Sequence, residues 1–135
     1  MKIYRSILLN EGDKVDRENV GISWTLCEIF AEDHAKDINR GVKKDGFVII
    51  SAEITEENID FDNTLFALEN RDYEYEVVLL PCELKCEVSY VESVEHIEEG
   101  ETFFGTSGSN SFEDYCDDYE GELTKKDFFE IANQF

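Results

Sequence analysis

Residues 73–80 read Tyr-Glu-Tyr-Glu-Val-Val-Leu-Leu and lead into Pro81, the only proline in the chain. Four apolar residues in a row, two of them β-branched and stopped by proline, predict a buried strand. Glu74 and Glu76 stand at its mouth. In a strand they share one face about 7 Å apart, while Tyr73, Tyr75 and Val77 face the other way. Two carboxylates at that spacing repel each other unless a cation or hydrogen-bond donors lie between them. Two arrangements satisfy this: an edge strand with one solvated acidic face, or a site where the pair meets a positive partner.

The other segments supply a sheet and a helix for this strand. Residues 3–9 predict a first strand, with Arg5 on the face of Ile3 and Ile7. An arginine there either seeks an anion or packs its stem and sends its head to water. Residues 10–20 are polar and form a loop. From Leu26, the apolar positions Ile29, Phe30, Ala31, His34, Ala35 and Ile38 recur at helical spacing. Thr25 is the expected N-cap, with Glu28 in the capping-box position, and Gly41 the expected C-cap. His34 reads as a packing or half-exposed residue. Residues 46–54 are a second strand, and 56–58 a turn. Residues 59–68 read as a loop with one helical turn. Residues 84–91 read as a strand that pairs with 73–80 across the short turn 81–83, with Cys86, Val88 and Tyr90 on one face.

Thirty-three acidic residues against twelve Lys and Arg give a formal charge of −21 over 135 residues. A surface this negative excludes direct nucleic-acid binding, which needs cations against phosphate. It suits instead a basic or nucleic-acid-associated protein partner. No apolar run is long enough to span a membrane. The apolar segment near the N-terminus is short and broken by Arg5, unlike a secretory signal, so a cytoplasmic location is expected. Cys27, Cys82, Cys86 and Cys116 lack zinc-ribbon spacing and are expected to be free thiols. The tail holds a disproportionate share of charge: residues 92–135 carry 13 acidic and 2 basic side chains. The chain therefore divides into a compact core, 1–91, and an acidic extension, 92–135. The extension contains a linker by composition at 105–111 and a short amphipathic helix near its end, with Leu123, Phe128, Ile131, Ala132 and Phe135 as the apolar set.

Three features remain: Arg5 in the first strand, Ser23-Trp24-Thr25 ahead of the helix, and Glu74-Tyr75-Glu76 opening the later strand. In this order and context, residues 3–91 resemble the mono-ADP-ribosyltransferases of the arginine–serine–glutamate class, in their toxin-like and phage-encoded branch. The chain departs from that pattern in the bulky Trp24 and in its short length. The resemblance implies an α+β ADP-ribosyltransferase-like fold of small split β-sheets with one or two packed helices. It implies transfer of ADP-ribose from NAD to a target protein with release of nicotinamide, in the host cytoplasm if phage-encoded. Glu76 is then the catalytic carboxylate and Ser23 fixes its rotamer. Arg5 clamps the NAD pyrophosphate, Thr25 supports the nicotinamide side, and Trp24 either stacks on nicotinamide or joins the core. Glu74 directs the transfer to arginine, with Tyr73 on the side facing the target. A second cation for the anionic donor would come from Arg40, Lys43 or Lys44. The charge also supports a different class of function, a non-enzymatic acidic mimic of nucleic acid that captures a basic protein.

Overall fold

The computed structural model describes residues 1–108, 116 and 118–135. They form a mixed α+β fold around one antiparallel sheet. The strands are β1 (Lys2–Leu9), β2 (Ser23–Thr25), β3 (Gly46–Glu53), β4 (Glu76–Val78), β5 (Glu83–Glu92) and β6 (Thr102–Thr106), in spatial order β4-β2-β1-β3-β5-β6. The helices are α1 (Glu28–Val42), α2 (Phe61–Asn70) and α3 (Lys125–Ala132). No helix of the described residues is long and apolar enough to cross a membrane.

The centre of the sheet follows from composition. β3 is buried along Gly46–Ala52 and pairs over its full length with β1, so its near-continuous apolar run covers both faces of a central strand. On one face Ala31 and Ala35 of α1 pack on Phe47 and Ile49. Two alanines let the helix approach the sheet closely. On the other face Val48, Ile50, Cys86 and Val88 join Leu65 and Leu68 of α2 and Phe128 of α3 in the larger core.

Several expectations need correction. The strands form one sheet, not separate small sheets, although β1 and β2 share a single register pair, Tyr4 with Thr25, and the sheet opens beyond it. β4 does not pair with β5. It lies beside β2 at the far edge, and β5 joins β3. A hairpin across the short turn 81–83 is the simpler local solution, but β3 offers β5 a longer partner. Residues 59–68 are no loop: Asp60 caps α2 by accepting from the Asn63 amide, and the helix runs to Asn70. α1 starts after Cys27 without a side-chain cap and ends past Gly41, with Lys43 in the left-handed region at φ 58°. Cys86 and Val88 share a face as expected, but Tyr90 does not. A bulge opposite Ile49 and Ile50 inserts Ser89 and turns Tyr90 to the α1 side, against Phe47.

The tail is structurally joined to the core. Gly105 and Thr106, read as the start of a linker, belong to β6, and Ser107 is buried with its hydroxyl donating to the Leu80 carbonyl. Residues 109–111 of that stretch lie outside the described residues. α3 confirms the expected terminal helix. Thr124 and Asp127 form its capping box, and Phe128 is fully buried edge-on to Phe61 of α2. The four cysteines are free.

Candidate active site

The opening between β1 and β2 is the mouth of a cleft of about 340 Å³. Its floor is β1, one wall is α1 through Phe30, His34 and Ile38, and the other is formed by Ser23–Thr25 with Glu74 and Glu76. Antiparallel pairing cannot continue past Tyr4 and Thr25, so the Ser23 carbonyl would be left without a donor. The Arg5 guanidinium supplies it, with Nη1 donating to Ser23 O at 2.6 Å. Burial pulls this guanidinium below its ordinary pKa, and Glu76 opposes that shift. Arginine remains cationic all the same. Arg5 Nε is buried without a hydrogen-bond partner among the described residues. It lies against Gly21, where an added Cβ would come within 2.4 Å of Arg5 Nε and Cζ.

Ser23 serves the opposite side with its hydroxyl. β2 pairs with β4 so that Thr25 lies opposite Glu76 and Ser23 opposite Val78. Ser23 Oγ donates to Glu76 Oε2 at 2.6 Å, a short bond to an ionised acceptor. Thr25 is not the helix cap. Its Oγ1 accepts from the Cys27 amide and donates to the Glu74 carbonyl at 2.8 Å, tying β2 to the turn that carries Glu74. Trp24 is buried in the core with Nε1 donating to the Gly21 carbonyl at 2.8 Å, although it also touches the cleft.

The acid pair is held differently from the strand expectation. Residues Asp72–Glu74 form a 3-10 turn, and only Glu76–Val78 is strand. Between them Tyr75 adopts φ 48°, an uncommon conformation for a bulky residue, at a cost of about 1–2 kcal/mol. The surrounding contacts hold it there: the Tyr75 carbonyl accepts from the Leu26 amide, and its ring meets Phe135 edge-on at 4.9 Å. This kink, and not period-two alternation, brings both carboxylates to the cleft. Tyr73 is exposed on the same turn.

Neither a family model nor a curated protein nor a solved structure matches this chain.

The cation between the carboxylates is Arg71. Its Nη2 donates to Glu76 Oε1 at 3.1 Å, and its Nε lies 3.6 Å from Glu74 Oε2. The repulsion of two neighbouring glutamates signalled that such a cation was needed, but not which one. Arg71 ends α2, and only the path of the following turn delivers it. Arg40, Lys43 and Lys44 do not contribute to the cleft; Arg40 pairs instead with Asp37 at 3.3 Å on the exposed end of α1. Arg5, Ser23, Thr25, Glu74 and Glu76 are thus together, and Arg5 and Arg71 balance the two glutamates. Two guanidinium groups thus stand beside the two glutamates in a chain of charge −21.

Proposed function

We propose that the chain is a mono-ADP-ribosyltransferase that transfers ADP-ribose from NAD to an arginine of a target protein, in the ADP-ribosyltransferase fold and in the cytoplasm. One observation carries the reading: Ser23 joins Arg5 through its carbonyl and Glu76 through its hydroxyl, in one cleft. A guanidinium and a carboxylate are thereby held on either side of a single residue. The two guanidinium groups beside the glutamates, Arg5 and Arg71, support the approach of an anionic donor.

In this reading the Arg5 guanidinium takes the pyrophosphate of NAD, for which a planar fork of donors is suited. The nicotinamide ribose lies at Glu76. As the glycosidic bond breaks, nicotinamide leaves with the bonding pair and the ribose carbon becomes oxocarbenium-like. The Glu76 carboxylate stabilises that charge and holds a ribose hydroxyl. Ser23 keeps the carboxylate in one rotamer, so little reorganisation is needed at the transition state. Glu74 attracts the guanidinium of the acceptor and takes its proton on attack.

The test is incubation of the purified chain with labelled NAD and a bacterial lysate, alongside Glu76→Gln. Label on a discrete protein band, absent with the variant, supports the reading. Neither label nor released nicotinamide, together with no NAD binding by calorimetry, overturns it and favours capture of a basic protein by the acidic surface.

A further inference from the structure

Of the four arginines in the chain, only Arg71 forms ion pairs with Glu74 and Glu76. Arg5 is anchored to Ser23, Arg40 to Asp37, and Arg17 lies over the Phe103 ring. Arg71 occupies the position that the proposed reaction assigns to an acceptor guanidinium. It touches the carboxylate that receives the acceptor and the one that holds the donor ribose. Its side chain is about half exposed, at 51%, and it stands between α2 and the 3-10 turn, so it can rotate without disturbing the core.

We propose that Arg71 is a site of self-modification by ADP-ribose. This rests on the transferase reading of the same cleft. Entry of NAD sets the ribose against Glu76, which exchanges its ion pair with Arg71 for a ribose hydroxyl. Arg71 keeps its contact with Glu74, and its terminal nitrogen stays beside the ribose carbon. A nitrogen held within hydrogen-bonding range of the group that binds the reacting sugar has the advantage of an intramolecular nucleophile. The bond from the ribose carbon to nicotinamide breaks, and nicotinamide leaves with the electron pair. The Arg71 nitrogen lone pair forms the new bond to that carbon. The proton it sheds passes to Glu74 and then to water. Modified Arg71 carries two phosphates at the rim of the cleft, next to Glu74 and Glu76. That adds negative charge where the next donor must enter, so self-modification opposes further turnover.

The full chain is incubated with NAD without any acceptor, and cleaved with a glutamate-specific protease. Peptide mass spectrometry then locates the modification, and nicotinamide release is followed in parallel, with and without agmatine as a free guanidine. The expected result is one ADP-ribose per chain on Arg71, lost in Arg71→Lys and in Glu76→Gln. Release should decay after about one equivalent in the wild type. Nicotinamide release, or agmatine modification, with Arg71 unmodified overturns the self-modification and leaves the transferase reading standing. ADP-ribose on another residue of the chain does the same. No nicotinamide release under either condition overturns both.

Discussion

Ser23 makes two separable contacts, and Ser23→Ala divides them. The substitution removes Oγ, and with it the 2.6 Å bond to Glu76, but leaves the carbonyl that accepts from Arg5. The backbone register of β2 on β4 is untouched. A hydrogen bond to an ionised group is worth about 1.5–3 kcal/mol, and about 1.4 kcal/mol is a tenfold change in rate. Full loss of that energy in the transition state corresponds to a fall of about 10- to 150-fold. Arg71 still holds the other oxygen of Glu76 at 3.1 Å, so the rotamer is only partly released. The expected fall in kcat is therefore about 10- to 30-fold, with KM for NAD within about twofold of wild type. Arg5→Lys should produce the opposite pattern: lysine cannot hold Ser23 and a phosphate with one planar fork, and KM should rise. The assay is nicotinamide release over a range of NAD concentrations, with circular dichroism as a check on folding. A folded Ser23→Ala protein with kcat unchanged, or with its defect confined to KM, refutes the idea that this hydroxyl positions Glu76.

Gly21→Ala should be costly beyond its size. Its φ is +98° and its Cβ would meet the Arg5 guanidinium, so left-handed strain and loss of the Arg5–Ser23 bond together cost about 2–5 kcal/mol. Gly12→Ala at φ +90°, with open space around it, is the control that isolates the backbone cost; urea midpoints of the two variants should differ clearly. Phe128→Ala should destabilise by about 3–5 kcal/mol, because the ring is fully buried against Phe61 and Phe129, and chemical denaturation reads this directly. His96 bridges the loops at 10–13 and 93–97, and its pKa is raised by the Asp13 carbonyl and by Glu11, which lies 2.9 Å from Nδ1. Its contribution is fully present below the ordinary value of 6.5 and fades as pH rises through the higher folded value. Glu11 is shifted down by the Glu95 amide and by His96, so its contribution is present above 4.5 and lost as pH falls through the lower folded value. The Tm of wild type should therefore decline on the alkaline side of that window more steeply than the Tm of His96→Gln; parallel curves would refute the linkage.

Local physics made much of the chain legible. Alternation in residues 83–88 is a consequence of period-two side-chain placement, the near-continuous apolar run in β3 follows from burial on both faces, and the apolar residues at 3 and 7–9 mark β1; the strands appear there. The terminal helix follows from its apolar spacing and from a capping box that needs only four residues. Only one turn of helix α2 is legible, because Asp60, Asn63 and Thr64 look like loop residues. The Asp60 cap and the bond from Thr64 Oγ1 to the Val78 carbonyl make those polar side chains compatible with a buried helix. The face of Tyr90 is not legible from alternation, because a bulge inserts one residue and inverts the pattern after it.

Sequence by itself singled out most of the residues that the structure gathers in the cleft. Arg5 and the acid pair Glu74 and Glu76 are out of place on a plain strand, Ser23, Trp24 and Thr25 together exceed what one helix cap needs, and the acid pair announces its need for a cation through simple Coulomb repulsion. Only the tertiary structure decided how that need is met. Placing β4 beside β2 sets Thr25 opposite Glu76 across the chain, which brings Ser23 Oγ into reach of that carboxylate. The opening after Tyr4 and Thr25 leaves a carbonyl for Arg5 to satisfy. The left-handed Tyr75 turns Glu74 toward the cleft, held by the Leu26 amide and by Phe135 from the far end of the chain. These are pairings between segments distant in sequence, so no local pattern encodes them. They arise because buried carbonyls, amides and charges must each find a partner, and the available partner is set by how the whole sheet closes.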